Sequence, residues 1–177
     1  YQCSSLTSIT IPDSVTTIGR WVFDQCTNLT SITLPTNNNF TTISSSCFYG
    51  ASGLTSITIP DSVTTIGLYA FYICTGLTSI HLPNSVTTIG QQAFYNCTSL
   101  TSITLPTNPL FTTISDSCFY SCSSLTSVDL GNSVTTFGSG TFEFCTSLTS
   151  ITIPDSVTTI GSSAFYQCTG LTSVTLP

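Results

Sequence analysis

Apolar and polar positions alternate along this chain in one phrase that is read eight times. Leu6, Leu29, Leu54, Leu77, Leu100, Leu125, Leu148 and Leu171 each open Leu-Thr-Ser-(Ile/Val), at intervals of 23, 25, 23, 23, 25, 23 and 23 residues. A fixed period in this range marks a solenoid, in which each unit buries its apolar face only against its neighbours. In the unit from Leu148, Ile151 and Ile153 alternate with polar residues and predict a short strand. Pro154 ends it, having no amide for a ladder, and Asp155-Ser156 predicts a turn held by side-chain bonds to nearby amides. Val157 and Ile160 return to the core. After Gly161, Ser162 or Ser163 is placed to cap a brief helical turn that carries Ala164, Phe165 and Cys168 on one stripe. The expected fold is a repeat solenoid with about eight parallel strands on one face. Short helical turns or irregular segments should make up the other.

Comparing units sharpens the columns. Phe23, Phe48, Phe71, Phe94, Phe119, Phe142 and Phe165 form an unbroken aromatic spine. The 25-residue units replace the Pro-Asp-Ser-Val turn with Thr36-Asn37-Asn38-Asn39-Phe40 and Thr107-Asn108-Pro109-Leu110-Phe111. Insertion in a turn costs least. The long units recur three repeats apart, giving a 23/25/23 pattern with a 71-residue higher period, as triplet duplication would leave. Residues 1–177 thus read as a single array of about seven to eight units. Tyr1 and Pro177 both fall inside a unit, and no Met is present. The expectation is a fragment of a longer array, whose bare repeat ends self-associate.

The phrase L-T-S-I-T-I-P-D-S-V-T-T-I-G-x-x-A-F-x-x-C-x-x-L resembles the BspA-like class of leucine-rich repeats, over essentially the whole chain. The resemblance implies a leucine-rich-repeat solenoid of the kind carried on surfaces of bacteria and protozoan parasites. It implies a non-catalytic extracellular or cell-surface module for adhesion or for recognition of proteins or glycans, and it transfers no catalytic residue.

Charge narrows the partners. Arg20 is the lone basic residue against seven acidic ones, Asp13, Asp24, Asp61, Asp116, Asp129, Glu143 and Asp155. Nucleic acid is excluded as a partner, because phosphate binding needs clustered Lys and Arg. No apolar run approaches the ~18–20 residues of a membrane-spanning helix. Neither a cofactor motif nor an assembled catalytic set is legible, so no enzyme is expected.

Nine cysteines admit three readings. Cys3, Cys26, Cys74, Cys97, Cys122, Cys145 and Cys168 share one column, Ala51 fills it in the remaining unit, and Cys47 and Cys118 sit in the Ala column. Metal ligation lacks the local C-x-x-C or His spacing. Disulfides suit an extracellular chain but not one Cys per unit. A ladder of small buried thiols fits the Ala51 replacement, and the column logic favours it.

Function must lie on outward columns. Ser8, Ser31, Ser56, Ser79, Ser102, Ser127, Ser150 and Ser173 occupy one strand position. Two residues on, Thr10, Thr33, Thr58, Thr104, Thr152 and Thr175 are interrupted by His81 and Asp129. Strand spacing of ~4.8 Å turns these into two hydroxyl rows and separates His81 from Asp129 by roughly 10 Å, too far for a catalytic pair. The rows are the candidate binding surface, or simply a solvated sheet. A second array lies in the Thr-Thr pairs. Tyr1, Tyr49, Tyr72, Tyr95, Tyr120 and Tyr166 follow the Phe spine, with Asp24 and Glu143 substituting. Such a row suits packing of neighbouring solenoids or sugar binding. Trp21 lies beside Arg20, whose i,i+4 partner is Asp24 if that segment is helical, and this makes the least repetitive corner. Asn39, Asn28 and Asn96 satisfy the N-x-S/T acceptor pattern, Asn39 being the strongest because it lies in an inserted turn. Three functions therefore compete: the adhesion or recognition module, a structural filament, and a Ser/Thr array that orders ice or glycan.

Overall fold

The computed structural model describes residues 3–175, so the expectations resting on Tyr1 and Pro177 lie outside the described residues. The chain winds as a parallel β-solenoid. Its first face is built from β1 (Ser8–Thr10), β2 (Ser31–Thr33), β4 (Ser56–Thr58), β6 (Ser79–His81), β8 (Ser102–Thr104), β10 (Ser127–Asp129), β12 (Ser150–Thr152) and β14 (Ser173–Thr175). Register joins like with like: Ser8 faces Ser31, Ile57 faces Ile80, and Thr58 faces His81. The middle residue of a strand points inward, burying Ile57, Ile80, Ile103 and Ile151, while its two neighbours face solvent.

A second, shorter ladder is an addition to the sequence-based picture. It comprises β3 (Thr42–Ile43), β5 (Thr65–Ile66), β7 (Thr88–Ile89), β9 (Thr113–Ile114), β11 (Thr136–Phe137) and β13 (Thr159–Ile160). These pair in parallel as two three-stranded sheets, Thr42 with Thr65 with Thr88 and Thr113 with Thr136 with Thr159. Only two residues per unit are extended, too few for hydrophobic alternation to register as a strand.

The helical turns expected around the Phe spine do not form; among the described residues these segments are irregular turns. The reason is visible in the amides from Ser46 to Gly50. Ser46, Phe48 and Gly50 donate to Leu68, Ala70 and Tyr72 of the next unit, at 2.8, 2.9 and 2.7 Å. Cys47, Tyr49 and Ala51 instead close short turns onto Ser44, Ser46 and Phe48. An α-helix would keep every amide within its own segment. Directing alternate amides along the solenoid axis requires left-handed backbone twice per unit, as at Ser46 (φ 57°) and Gly50 (φ 65°), or Tyr69 (φ 58°) and Ile73 (φ 57°). Arg20 and Asp24 consequently lack the helical spacing that would have paired them.

The core is the interior of the winding. Leu29, Leu54, Leu77, Leu100, Leu125 and Leu148 are fully buried, as are Phe48, Phe71, Phe94, Phe119 and Phe142. From Phe23 to Phe142 the rings stack at 5.3 to 5.5 Å with planes within 9°. Eight of the nine cysteines fit the same interior: Cys26, Cys47, Cys74, Cys97, Cys118, Cys122, Cys145 and Cys168 are buried thiols, whereas Cys3, expected in the same buried column, is exposed.

Side chains of the Asp-Ser turns reach across units rather than to nearby amides. Ser62 Oγ donates to the Phe40 carbonyl at 2.7 Å and Ser85 Oγ to the Val63 carbonyl at 2.7 Å. Asp13 Oδ1 accepts from Thr36 N at 2.7 Å and from its hydroxyl at 3.1 Å. Asn84 does the same for Thr107, at 3.0 and 3.2 Å. The two inserted residues thus sit in turns clamped to the unit before them.

Candidate recognition surface

Hydroxyls on the first face divide into two kinds. Five of the eight Thr that follow a repeat Leu bond the chain itself: Thr30, Thr78 and Thr126 donate to the carbonyls of Thr7, Thr55 and Thr101, each at 3.0 Å, and Thr101 and Thr172 to those of Thr78 and Thr149 at 3.3 and 3.2 Å. The next two outward columns are different. Among the described residues, Ser56, Ser79, Ser102, Thr58 and Thr104 are exposed and their hydroxyls take no protein partner. Ser8, Ser31, Ser127, Ser150, Thr10, Thr33 and Thr152 are placed likewise, so the candidate columns form one continuous face. The second ladder repeats this division. Thr64 and Thr87 donate to the carbonyls of Thr41 and Thr64 at 3.3 Å, whereas Thr88 and Thr113 point outward.

His81 stands in the middle of this face, in register with Thr58 on one side. A shallow depression of about 300 Å³ surrounds it, lined by Ser56, Thr58, Ser79, Ser102 and Thr104 together with the edges of Ile57, Ile80 and Ile103. A second depression of about 400 Å³ continues from His81 towards Asn38, Thr36, Asp61 and Ser62. Asn38 and Asp61 were not legible as site residues. The inserted turn signals an irregularity, but only folding shows that it overhangs the next unit beside His81. Asp129, facing Thr104, is less free: its Oδ1 accepts the Gly131 amide at 3.1 Å, a local turn. Thr104 lies between the two in the column, so His81 and Asp129 are not brought together.

The Tyr column is half-buried and stacked. Tyr49, Tyr72, Tyr95 and Tyr120 lie at successive centroid distances of 4.7, 4.7 and 4.5 Å, with planes 15°, 13° and 2° apart. Burial, then the neighbouring tyrosines, raises the phenols of Tyr72 and Tyr95 above the ordinary value. Where Asp24 and Glu143 interrupt the column, rings from other positions close it: Trp21 meets Tyr49 at 5.6 Å and Phe144 meets Tyr120 at 5.3 Å. Stacking covers the ring faces that a sugar would need, leaving edges and hydroxyls outward.

The three sequons differ in surroundings. Asn39 is exposed in its inserted turn. The Asn28 carboxamide donates to the Ser4 carbonyl at 2.6 Å, and Asn96 is half-buried with left-handed backbone. Among the described residues no group of three or more His, Cys, Asp or Glu is placed to hold a metal ion, and no helix is long and apolar enough to cross a membrane.

A family model described as the BspA type leucine rich repeat region matches in six copies, over residues 1–110 and 64–177. Three solved structures are similar to the chain. A leucine rich repeat protein of T. pallidum is 36% identical, over 84% of this chain and 67% of that one, with a TM-score of 0.76. A leucine-rich repeat protein of Bacteroides ovatus is 30% identical over 97% of this chain and 55% of its own, with a TM-score of 0.73. A leucine rich cell surface protein of Faecalibacterium prausnitzii is 35% identical over 96% of this chain, with a TM-score of 0.80. The chain spans 47% of that last protein's length, about half. No curated protein sequence matches.

Proposed function

The chain belongs to the BspA-type leucine-rich-repeat family, and from that premise we propose that it is a non-catalytic recognition module displayed on a cell surface or outside the cell. Its ligand is a protein or a carbohydrate, held by the first face around His81. The observation that carries this reading is the contrast between committed and uncommitted hydroxyls. Five of the eight Thr after a repeat Leu donate to backbone of the preceding unit, while the Ser and Thr columns beside them present free donors and acceptors in register. Ligand sites pair apolar floor with a few convergent polar groups, and the depression at His81 has both. The cell-surface description of the F. prausnitzii protein supports the location. Beads coated with the folded chain should adhere to epithelial monolayers, and beads coated with heat-unfolded chain should not. Equal retention of the two would refute the reading.

A second reading draws on the regular register of Ser with Ser and Thr with Thr. Such an array orders water, ice or a repeating glycan. His81 and Asp129 break the regularity, which favours the first reading. Thermal hysteresis in a freezing assay decides for ice, and its absence removes that option.

A further inference from the structure

We propose that the column Tyr49, Tyr72, Tyr95 and Tyr120 is a modification site, where oxidation joins tyrosines of adjacent repeats within one chain by a carbon–carbon bond. Four consecutive units each supply one phenol to a stack whose centroids are 4.5 to 4.7 Å apart. In the tightest pair, Tyr95 with Tyr120, the planes differ by only 2°. Phenoxyl radicals couple face to face, because the new bond forms perpendicular to both rings, between ring carbons ortho to the oxygen. A stack already in that arrangement needs only a small approach of two surface side chains. All four rings are half-buried, so their edges are open to an oxidant. The buried Phe spine stacks too, but lacks phenols. Tyr69 meets Tyr72 edge-on at 90°, and Tyr166 faces Phe144, so neither shares the arrangement.

The oxidant required is hydrogen peroxide activated by a peroxidase. Each phenol O–H yields one electron and one proton, giving two phenoxyl radicals. These join through one ring carbon of each, and each of those carbons passes its hydrogen to its own oxygen, restoring two phenols. The chain loses two hydrogen atoms, and one peroxide is reduced to two waters. The product ties one repeat covalently to the next, across the nearest-neighbour interface on which a solenoid depends.

The test treats the chain at micromolar concentration with hydrogen peroxide and a peroxidase, then maps linked peptides by mass. The expected result is a link between Tyr95 and Tyr120 foremost, then Tyr72–Tyr95 and Tyr49–Tyr72. Links within a chain should exceed links between chains on the order of a hundredfold, because neighbours on one scaffold face each other at far higher effective concentration. Tyr120→Phe should keep the stack, abolish the first link and leave the Tyr72–Tyr95 link. In urea the links should spread to Tyr69 and Tyr166. Links chiefly between molecules, the same distribution in folded and unfolded chain, or no link while added N-acetyltyrosine couples in the same vessel would each overturn the proposal.

Discussion

The thiol of Cys74 donates to the carbonyl oxygen of Phe48, one unit back, at 3.0 Å. Cys97, Cys122, Cys145 and Cys168 repeat the bond to Phe71, Phe94, Phe119 and Phe142 at 3.0 to 3.2 Å. The column therefore joins consecutive units, and is more than small apolar filler. Cys97→Ala should cost about 1–2 kcal/mol, combining a lost bond with a small cavity. Ala51→Cys should be tolerated, because the equivalent unit already buries Cys118 and Cys122 together. Urea unfolding of both variants reads the difference. A neutral Cys97→Ala would show that the bond does not contribute.

Those thiols also set a pH limit. Burial pushes the Cys47 thiol from 9.0 up to about 12, and pushes Cys74, Cys97, Cys118, Cys122 and Cys145 up as well. The folded state therefore holds protons that the unfolded chain releases above pH 9.0. Linkage makes this stability fully present below that value and lost progressively as pH rises towards the folded pKa values. Thermal midpoints should be level in this respect between pH 7 and 8 and fall steeply between pH 9 and 12. A Cys47→Ala, Cys97→Ala double variant should fall less steeply. Identical slopes would assign the alkaline loss to other groups.

Ile73 occupies a left-handed position, φ 57°, and is the only β-branched residue to do so among the described residues. Its counterpart one unit on is Asn96, also at φ 57°. Asn and Gly tolerate this region and a β-branched side chain does not. Ile73→Asn should stabilise the chain by up to about 1 kcal/mol, read as a higher denaturant midpoint with unchanged slope.

A Cβ added at Gly90 would lie 2.5 Å from the Leu68 backbone nitrogen of the preceding unit. The clash is with main chain, which cannot swing away. Gly90→Ala should therefore cost about 1–3 kcal/mol or more. In the long units the same column holds Ser44 and Ser115, whose hydroxyls donate to the Ile18 and Ile89 carbonyls. Gly90→Ser should also destabilise, because Gly90 N already serves the Ile66 carbonyl at 2.8 Å.

Much of this was legible in the sequence because one phrase is repeated and each column has one environment. Leu148, Phe94 and Ile151 declare the interior by position alone, and the outward Ser column follows by alternation. The turn segment was not legible. Ala164, Phe165 and Cys168 have helical spacing, yet Ser163 and Gln167 adopt left-handed backbone, and the carbonyls of Ser162, Ala164 and Tyr166 accept amides of the preceding unit at 2.8 to 2.9 Å. That choice is made by the neighbour, which a single unit does not reveal. The roles of Asp13 and Asn84 were hidden for the same reason, since each clamps a turn 23 residues away. Likewise Asn38 joins the surroundings of His81 only through winding.

Adhesion to epithelial monolayers by beads carrying face-directed variants tests the recognition surface most directly. Ser79→Glu with Thr104→Glu places two carboxylates beside His81, while Thr88→Glu with Thr113→Glu places two on the second ladder. All four positions are exposed, so both variants should fold. The first pair should weaken adhesion about tenfold or more, a loss of roughly 1.4 kcal/mol, and the second should leave it unchanged. Unchanged adhesion by the first pair, or loss only with the second, would contradict the assignment of recognition to the His81 face.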